Sequence, residues 1–593
     1  LSADTKGNKN VAVGNFSLST QNFTTATDVF NVGVGHGAGE GITTGVGNTL
    51  IGALAGDALT DADFNVAIGK NALSTDTLGS FSTAVGINAL ENQNFTTATQ
   101  TYNTAIGALA GGAVTTGVKN NILGGLAGDA LTVGGENVAI GTSALTTDTK
   151  GSHTVAIGTG ALETQNFTTA TDANNTAVGH AAGNAVTTGI QNTLIGALAG
   201  DALTDADYNV AVGVQALSSD TLGSQSVAIG NAALFTQNFT TATATYNTAV
   251  GQSAGYAVTT GIKNTLIGGL AGDALTDADM NIVVGAEALA IDTLGSGSVA
   301  IGRSSLETQN FTTATTTENT AVGNQAGLSN LTGTAATFIG HYSGRFATTA
   351  DATTFVGANA GRGITGTKLT GNNNTAIGTS AGLVLQGDAS GNTLVGSSAG
   401  VALTTGTNNV LIGYSAGSSS SVDLTTGSNN IVIGGNRPSL PAGELHSILI
   451  GTVANIAGKG NNTGFISPNS GAVYQGNNST AWSQTSDRRL KKNIVDSTVG
   501  LAEINQLQVR NFEYRTVDEV TELEDHTVIN KSGVQVGVIA QEIQAILPKC
   551  VKEESTGVLS VDPDNLTWHM VKAVQELSTA LDAALARIAT LEG

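Results

Sequence analysis

A pentapeptide of the form Asn-Thr-Ala-Val-Gly returns along this chain at fixed steps, and few architectures tolerate such a pattern. Its first residue falls at Asn175, Asn192, Asn209, Ser226 and Asn247, so the steps are 17, 17, 17 and 21 and the super-repeat is 72. The frame persists, with one 18-residue step, to Ser447-Ile-Leu-Ile-Gly451, giving 25 copies that all end in Gly. Glycines at this density would destabilise helix interiors by about 1 kcal/mol each. A flexible linker would not hold register over some 440 residues. The remaining reading is a mainly β protein, a parallel β-solenoid in which each pentapeptide forms one strand of a coil.

The fourth position is Ile or Val in every copy except at Leu123. β-Branched side chains suit a packed, pleated surface. Because side chains alternate along a strand, positions two and four share one face and position three takes the other. The pattern predicts that position four stacks inside the coil as an Ile/Val ladder. Position three, usually Ala or Leu, then faces outward toward a neighbouring chain. The invariant Gly implies a backbone conformation closed to other residues, or a close approach at a corner. Proline does not occur before Pro438, as expected where nearly every N–H enters a ladder. The motif resembles the left-handed β-roll of trimeric autotransporter adhesin heads, although the coil here is longer. At about 4.8 Å per coil, 25 coils predict a shaft on the order of 115–120 Å long.

Composition narrows the function. Only 11% of residues are charged and 4% aromatic, and the net charge is −22. An acidic body repels phosphate backbones, which argues against nucleic acid as a partner. No run approaches the ~18 apolar residues of a membrane span. A lone cysteine, Cys550, rules out an intrachain disulfide framework. The opening Leu1-Ser-Ala-Asp-Thr-Lys-Gly aligns with Leu145-Thr-Thr-Asp-Thr-Lys-Gly, so the chain begins inside a repeat and a longer protein is expected.

Two recurring features of the shaft are candidates for binding. The longer coil inserts Gln-Asn-Phe-Thr-Thr-Ala-Thr once per super-repeat, with Phe23, Phe95, Phe167, Phe239 and Phe311. These rings are read either as a ladder for glycan contact or as packing. The sets Asp57, Asp61, Asp63, then Asp201, Asp205, Asp207 and Asp273, Asp277, Asp279 raise the question of calcium. Their spacing fits no known calcium loop, so solvated turns are expected. The seven His show no ligand spacing, and neither a metal nor a cofactor is expected.

The predicted domains are a shaft over residues 1–451, a Gly/Asn/Ser-rich neck over 452–485, and a different module over 486–593. Charge marks the change. Residues 1–485 hold 12 of the 23 Lys and Arg, and the last 108 residues hold the other 11. The new module opens with Ser486-Asp487-Arg488-Arg489-Leu490-Lys491-Lys492-Asn493-Ile494. A serine hydroxyl needs a base to become a nucleophile. Lys491, five residues on, supplies one if burial beside Arg488 or Arg489 favours its neutral amine. Attack by Ser486 on the carbonyl before it closes a five-membered ring. Thr485–Ser486 is therefore the favoured scissile bond, with Ser486–Asp487 as runner-up and Lys492 as a competing amine.

This cluster, with Val536-Gly-Val-Ile-Ala-Gln541-Glu542-Ile-Gln-Ala-Ile-Leu-Pro548 and Val558-Leu-Ser-Val-Asp562, resembles the endosialidase-type intramolecular chaperone of phage tail fibres and tailspikes. The resemblance spans roughly residues 484–593. It implies a homotrimer whose C-terminal module drives folding and then removes itself by a single-turnover Ser–Lys reaction. It places the nucleophile at Ser486, the base at Lys491, and supporting groups at Asp487, Arg489 and Asn493. The closing segment, residues 568–591, repeats Met570, Val574, Leu577, Leu581, Ala584, Ile588 and Leu591 in steps of four and three, the seam of a coiled coil. The expected protein is a virion tail fibre that adheres to a host-surface receptor of the glycan class and joins other tail proteins through what precedes Leu1. A bacterial trimeric surface adhesin and, more remotely, an ice-binding solenoid are the alternatives.

Overall fold

A computed structural model describes residues 1–435, 437–468, 473–476, 483–484, 486–523, 528–529, 531–554 and 556–593. The chain separates into two compact units, Leu1–Thr485 and Ser486–Gly593. The first is a parallel β-solenoid. From Val11–Val13 to Ile448–Gly451, each pentapeptide strand pairs in parallel with the next. Like positions align: Thr193 with Val210, Leu194 with Ala211, Ile195 with Val212. The stack continues one strand beyond the repeat, because Gly464–Ser467 also pairs in parallel with Ile448–Gly451. Val473–Gln475 and Ser483–Gln484 then add antiparallel strands. Trp482 and residues 469–472, 477–481 and 485 of the neck lie outside the described residues.

The two faces of the strand are the reverse of the sequence expectation. Position three is the interior: Leu50, Ala67, Leu194, Ala211, Phe338 and Phe355 are fully buried. Position four is outside, and Ile51, Ile195 and Ile267 are each 38% exposed. Alternation marks two faces without saying which is inward, and here both are apolar. The interior also receives residues from the turns, such as Ala55, Leu59 and Ala62, and all of them join one continuous core. In most coils the room left at position three suits Ala or Leu.

Two devices close each coil. The buried first-position Asn bonds both ways along the stack. In Asn192, the N–H donates to Asn175 Oδ1 at 2.9 Å, Nδ2 donates to Ala206 O at 2.8 Å, and Oδ1 accepts from Asn209 N–H at 2.9 Å. A buried amide is thereby satisfied at both ends. The invariant Gly turns the corner. Gly213 has φ +140, and a Cβ on it would lie 2.4 Å from the carbonyl oxygen of Gly230. No side chain fits there.

The 21-residue coil is absorbed by a side loop. Asp76, fully buried, accepts at Oδ1 from the N–H groups of Gly79 (3.1 Å) and Phe95 (3.0 Å), and at Oδ2 from Gln93 Nε2 (2.6 Å). Gln93 Oε1 accepts in turn from Asn103 Nδ2 at 2.8 Å. A short extra ladder, Gly79–Ser80 against Thr99–Gln100, braces the loop. Its tip, Thr96-Thr97-Ala98, is exposed.

The second unit is small and α+β. Helix α1 (Leu501–Ile504), α2 (Ala540–Ile546) and α3 (Pro563–Glu592) accompany two antiparallel hairpins, Arg510–Phe512 with Gln535–Gly537 and Val551–Glu553 with Leu559–Val561. Ile543, Leu547 and Cys550 form the buried centre, with Val499, Ile504, Leu507 and Leu566 against it. Helix α3 begins five residues before the expected Trp568. Asp562 caps it, accepting from the N–H groups of Asp564 and Asn565, and Pro563 fills the first turn. The carboxylate of Glu576 on α3 accepts from Leu501 N–H at 2.8 Å, which ties α1 to α3.

Candidate active site

The residues of the charged cluster are arranged around one turn of 3₁₀ helix, Arg488–Leu490. Asp487 caps that turn, with Oδ1 accepting from Arg489 N–H at 2.8 Å. The Arg489 guanidinium folds back on the same carboxylate, Nε at 3.1 Å from each oxygen and Nη2 at 2.6 Å from Oδ2. The Arg489 hydrogen bonds hold the Asp487 carboxyl below its ordinary range and push the guanidinium up. The pair stays ionised and locks the turn. Leu490 N–H reaches Asp487 O, and Lys491 N–H reaches Arg488 O.

That turn reverses the chain so that position 491 returns to position 486. Lys491 Nζ donates to Ser486 Oγ at 2.6 Å. Asn493 follows in the left-handed region, φ 56, a conformation that Asn tolerates better than most side chains. Ser486, Lys491 and Asn493 are exposed in the single chain. Thr485 lies outside the described residues, and the division between the two compact units falls between Thr485 and Ser486.

The downstream motif is structural support within the same unit. Gln535–Gly537 is a hairpin strand, and Gln541 and Glu542 open α2. Arg510 on the partner strand grips Glu542 with both arms, Nε to Oε2 at 3.1 Å and Nη2 to Oε1 at 3.0 Å. Sequence reasoning singled out neither Arg510 nor Glu576, because no local spacing links residues 32 or 75 positions apart. Cys550 is a core residue, and burial pushes its thiol up, which makes it inert.

The shaft candidates resolve differently. Phe23, Phe95, Phe167, Phe239 and Phe311 are only 5–7% exposed. Of the two readings of these rings, their burial favours packing over glycan contact. The second and third members of each Asp set bond to the preceding coil, whereas Asp57 Oδ1 and Asp273 Oδ1 are buried without a hydrogen-bond partner. Asp61 Oδ1 accepts from Thr44 Oγ1 at 2.5 Å, and Asp63 Oδ1 accepts from Val46 N–H at 2.7 Å. Asp205 and Asp207, and Asp277 and Asp279, repeat both bonds. Among the described residues, no group of three or more His, Cys, Asp or Glu is gathered as a metal site. No helix of the described residues is long and apolar enough to cross a membrane.

Residues 486–552 match the peptidase S74 family model, described as chaperone of endosialidase. The C-terminal unit carries an endosialidase chaperone domain. The match begins at Ser486, the serine that Lys491 contacts. Such a domain implies an autoproteolytic intramolecular chaperone, and its placement after a long β-solenoid is typical of phage tail fibres and tailspikes. Chaperone domains of this family function in trimeric fibres. No solved structure matches the chain.

Proposed function

We propose that this chain is a homotrimeric phage tail-fibre protein whose chaperone domain assembles the shaft and is then released by cleavage at Thr485–Ser486. The observation that carries the cleavage is the 2.6 Å contact between Lys491 Nζ and Ser486 Oγ at the boundary of the two units. Lys491 in its neutral form takes the Ser486 hydroxyl proton, and Oγ attacks the Thr485 carbonyl carbon. The ring intermediate collapses by breaking the C–N bond, and the proton passes to the departing Ser486 amine. An ester remains between Thr485 and Ser486 Oγ. Water then hydrolyses it, leaving a Thr485 carboxylate and a restored Ser486 hydroxyl. Asp487 and Arg489 hold the turn that brings the amine to the serine, and Asn493 sets the chain direction after it.

The dyad is open to water in a single chain, whereas a neutral lysine is favoured by burial. Assembly supplies that burial, so cutting follows trimer formation. The mature shaft serves host adhesion, and its receptor is of the glycan class.

The test is expression of the whole chain. Two bands split near residue 485 are expected, and mass spectrometry of the smaller should give an N-terminus at Ser486. Ser486→Ala should give one uncut band that still trimerises, Lys491→Ala should also stay uncut, and Lys492→Ala should cut. Normal cleavage of Ser486→Ala would sink the assignment.

A further inference from the structure

The outward face of the pentapeptide strands differs from the two exposed rows beside it. In none of the 25 copies is position two or position four charged. Position two is mostly Thr or Val, and position four is Ile or Val but for Leu123. The flanking rows are mixed: the residue before position one is Lys119, Glu136, His153 or Lys263 in different coils, and the residue after position five is Lys70 or Arg303. Charge is thus absent from the strand face and present in the two rows that flank it.

Register is protected on the same face. Across the 21-residue coil, Thr83, Ala84 and Val85 still stand against Thr104, Ala105 and Ile106. Across the 18-residue step, Ala376 still meets Leu394. Every insertion is taken up elsewhere on the coil, as at the exposed Thr96-Thr97-Ala98 tip. The strand pairing that aligns the buried position-three ladder therefore also leaves the outer face as an unbroken stripe.

We infer that this Thr/Val–Ile/Val face is the surface by which the shafts of separate copies of this chain pack together. With Ile195, Ile229 and Ile267 each 38% exposed, position four alone leaves on the order of 1,500 Å² of apolar surface per chain, about twice the ~800 Å² per partner of a standard stable interface. An uncovered apolar patch of that size is rare on an isolated protein. Its occupant must be apolar and must repeat at the coil rise for the whole length of the shaft. A parallel copy meets both conditions, since rotation about a common axis sets identical rungs at one level. The inference rests on the trimer reading only for the number of copies. It also reverses the sequence expectation, in which position three met the neighbour.

The shaft unit contains no cysteine, so single thiols report locally. In a full-length Cys550→Ser background, Ile195→Cys and Ile267→Cys are compared with Tyr208→Cys, which lies in the row before position one and is 51% exposed. Sedimentation of the native protein counts the chains, and maleimide labelling reads exposure. In a trimer, the position-four thiols should label at least about ten-fold more slowly than the control. Equal labelling in a confirmed trimer would leave the trimer reading standing and overturn this interface, pointing to a face kept open for a foreign partner. A folded monomer would overturn both. As a second measurement, Ile195→Lys with Ile267→Lys should abolish trimers, and Val214→Lys on the row after position five should not. Normal trimers from the double variant would also overturn the inference.

Discussion

The two units of this chain solve burial in opposite ways. In the shaft, every coil repeats the same interior, and side chains such as Leu194 and Ala211 are fully enclosed by the coils above and below. Its polar groups are repeated too, as in the Asn175–Asn192–Asn209 row. In the chaperone unit, only a handful of residues are enclosed. Val495 is 86% exposed, Trp568 67%, and Leu577, Leu581 and Ile588 on α3 are all open. The shaft is a finished interior, and the chaperone unit leaves much of its apolar surface open. A solenoid gains stability by adding coils but has no local signal for aligning separate chains. The small unit presents its apolar seam within one short stretch of sequence, helix α3.

Removing the small unit tests that division most severely. A chain ending at residue 485 should fail to give soluble, protease-resistant trimers, because long-range registration of strands is slow and leaves edges exposed. Recovery of such trimers from the truncated gene would end the comparison. The same logic predicts kinetic locking. After full denaturation and dilution, uncut Ser486→Ala should regain trimers and the cleaved shaft should not.

Glycine substitutions should separate the units next. Gly213→Ala places a Cβ against a neighbouring carbonyl at a positive φ, and should cost about 3 kcal/mol or more. Gly533→Ala, with φ +84 and open space around it, should cost only about 1 kcal/mol. Unfolding rates of uncut trimers in guanidinium would rank the two. A comparable cost at both sites would mean that the shaft corner relaxes.

Polar truncations should differ less. Asn192→Ala leaves a buried N–H of Asn209 and the carbonyl of Ala206 unpaired, at about 1–3 kcal/mol for each group. Asp562→Ala removes a half-buried cap from α3, at about 1 kcal/mol. The same unfolding assay distinguishes them.

Acid should produce the smallest effect and opposite signs. Burial raises Asp57, Asp63, Asp76 and Asp273 in the shaft. The folded shaft therefore binds these protons more tightly than the unfolded chain. Their cost to stability is present at neutral pH and is relieved as pH falls through the raised values. Glu136, lowered by its Lys119 hydrogen bond, and Asp4, lowered by its hydrogen bonds despite burial, oppose this within the shaft. In the chaperone unit Asp487 is lowered by Arg489, Glu503 by the Gly500 N–H and Asp562 by the Asn565 N–H. Their contribution is present above the ordinary carboxylate range and is lost as pH falls through the lowered values. Unfolding of uncut trimers followed between neutral and mildly acidic pH should show the chaperone unit weakening relative to the shaft. Parallel loss in both would remove the electrostatic half of the comparison.

Much of this was legible in local spacing. The 17/17/17/21 steps gave the coil, since parallel in-register pairing makes the strand repeat equal the sequence repeat. Ser486 and Lys491 stand five apart, close enough for one tight turn to join them. The chaperone hairpins and the Arg510–Glu542 grip were not legible, because they depend on partners far apart in the chain. The start of α3 was missed because the Asp562-Pro563 cap precedes the first residue of the heptad pattern.

By itself the sequence determined the period, the invariant corner glycine, the site of the charge change and the chemistry grouped at residues 486–493. Only the tertiary structure decided which face of the strand is inside. Alternation of apolar side chains is symmetric between the two faces, and Ala/Leu and Ile/Val are both hydrophobic. The choice is made by space: turn residues fill the coil from the other walls, leaving position three mostly the room for Ala or Leu, and the β-branched row is left on the outside.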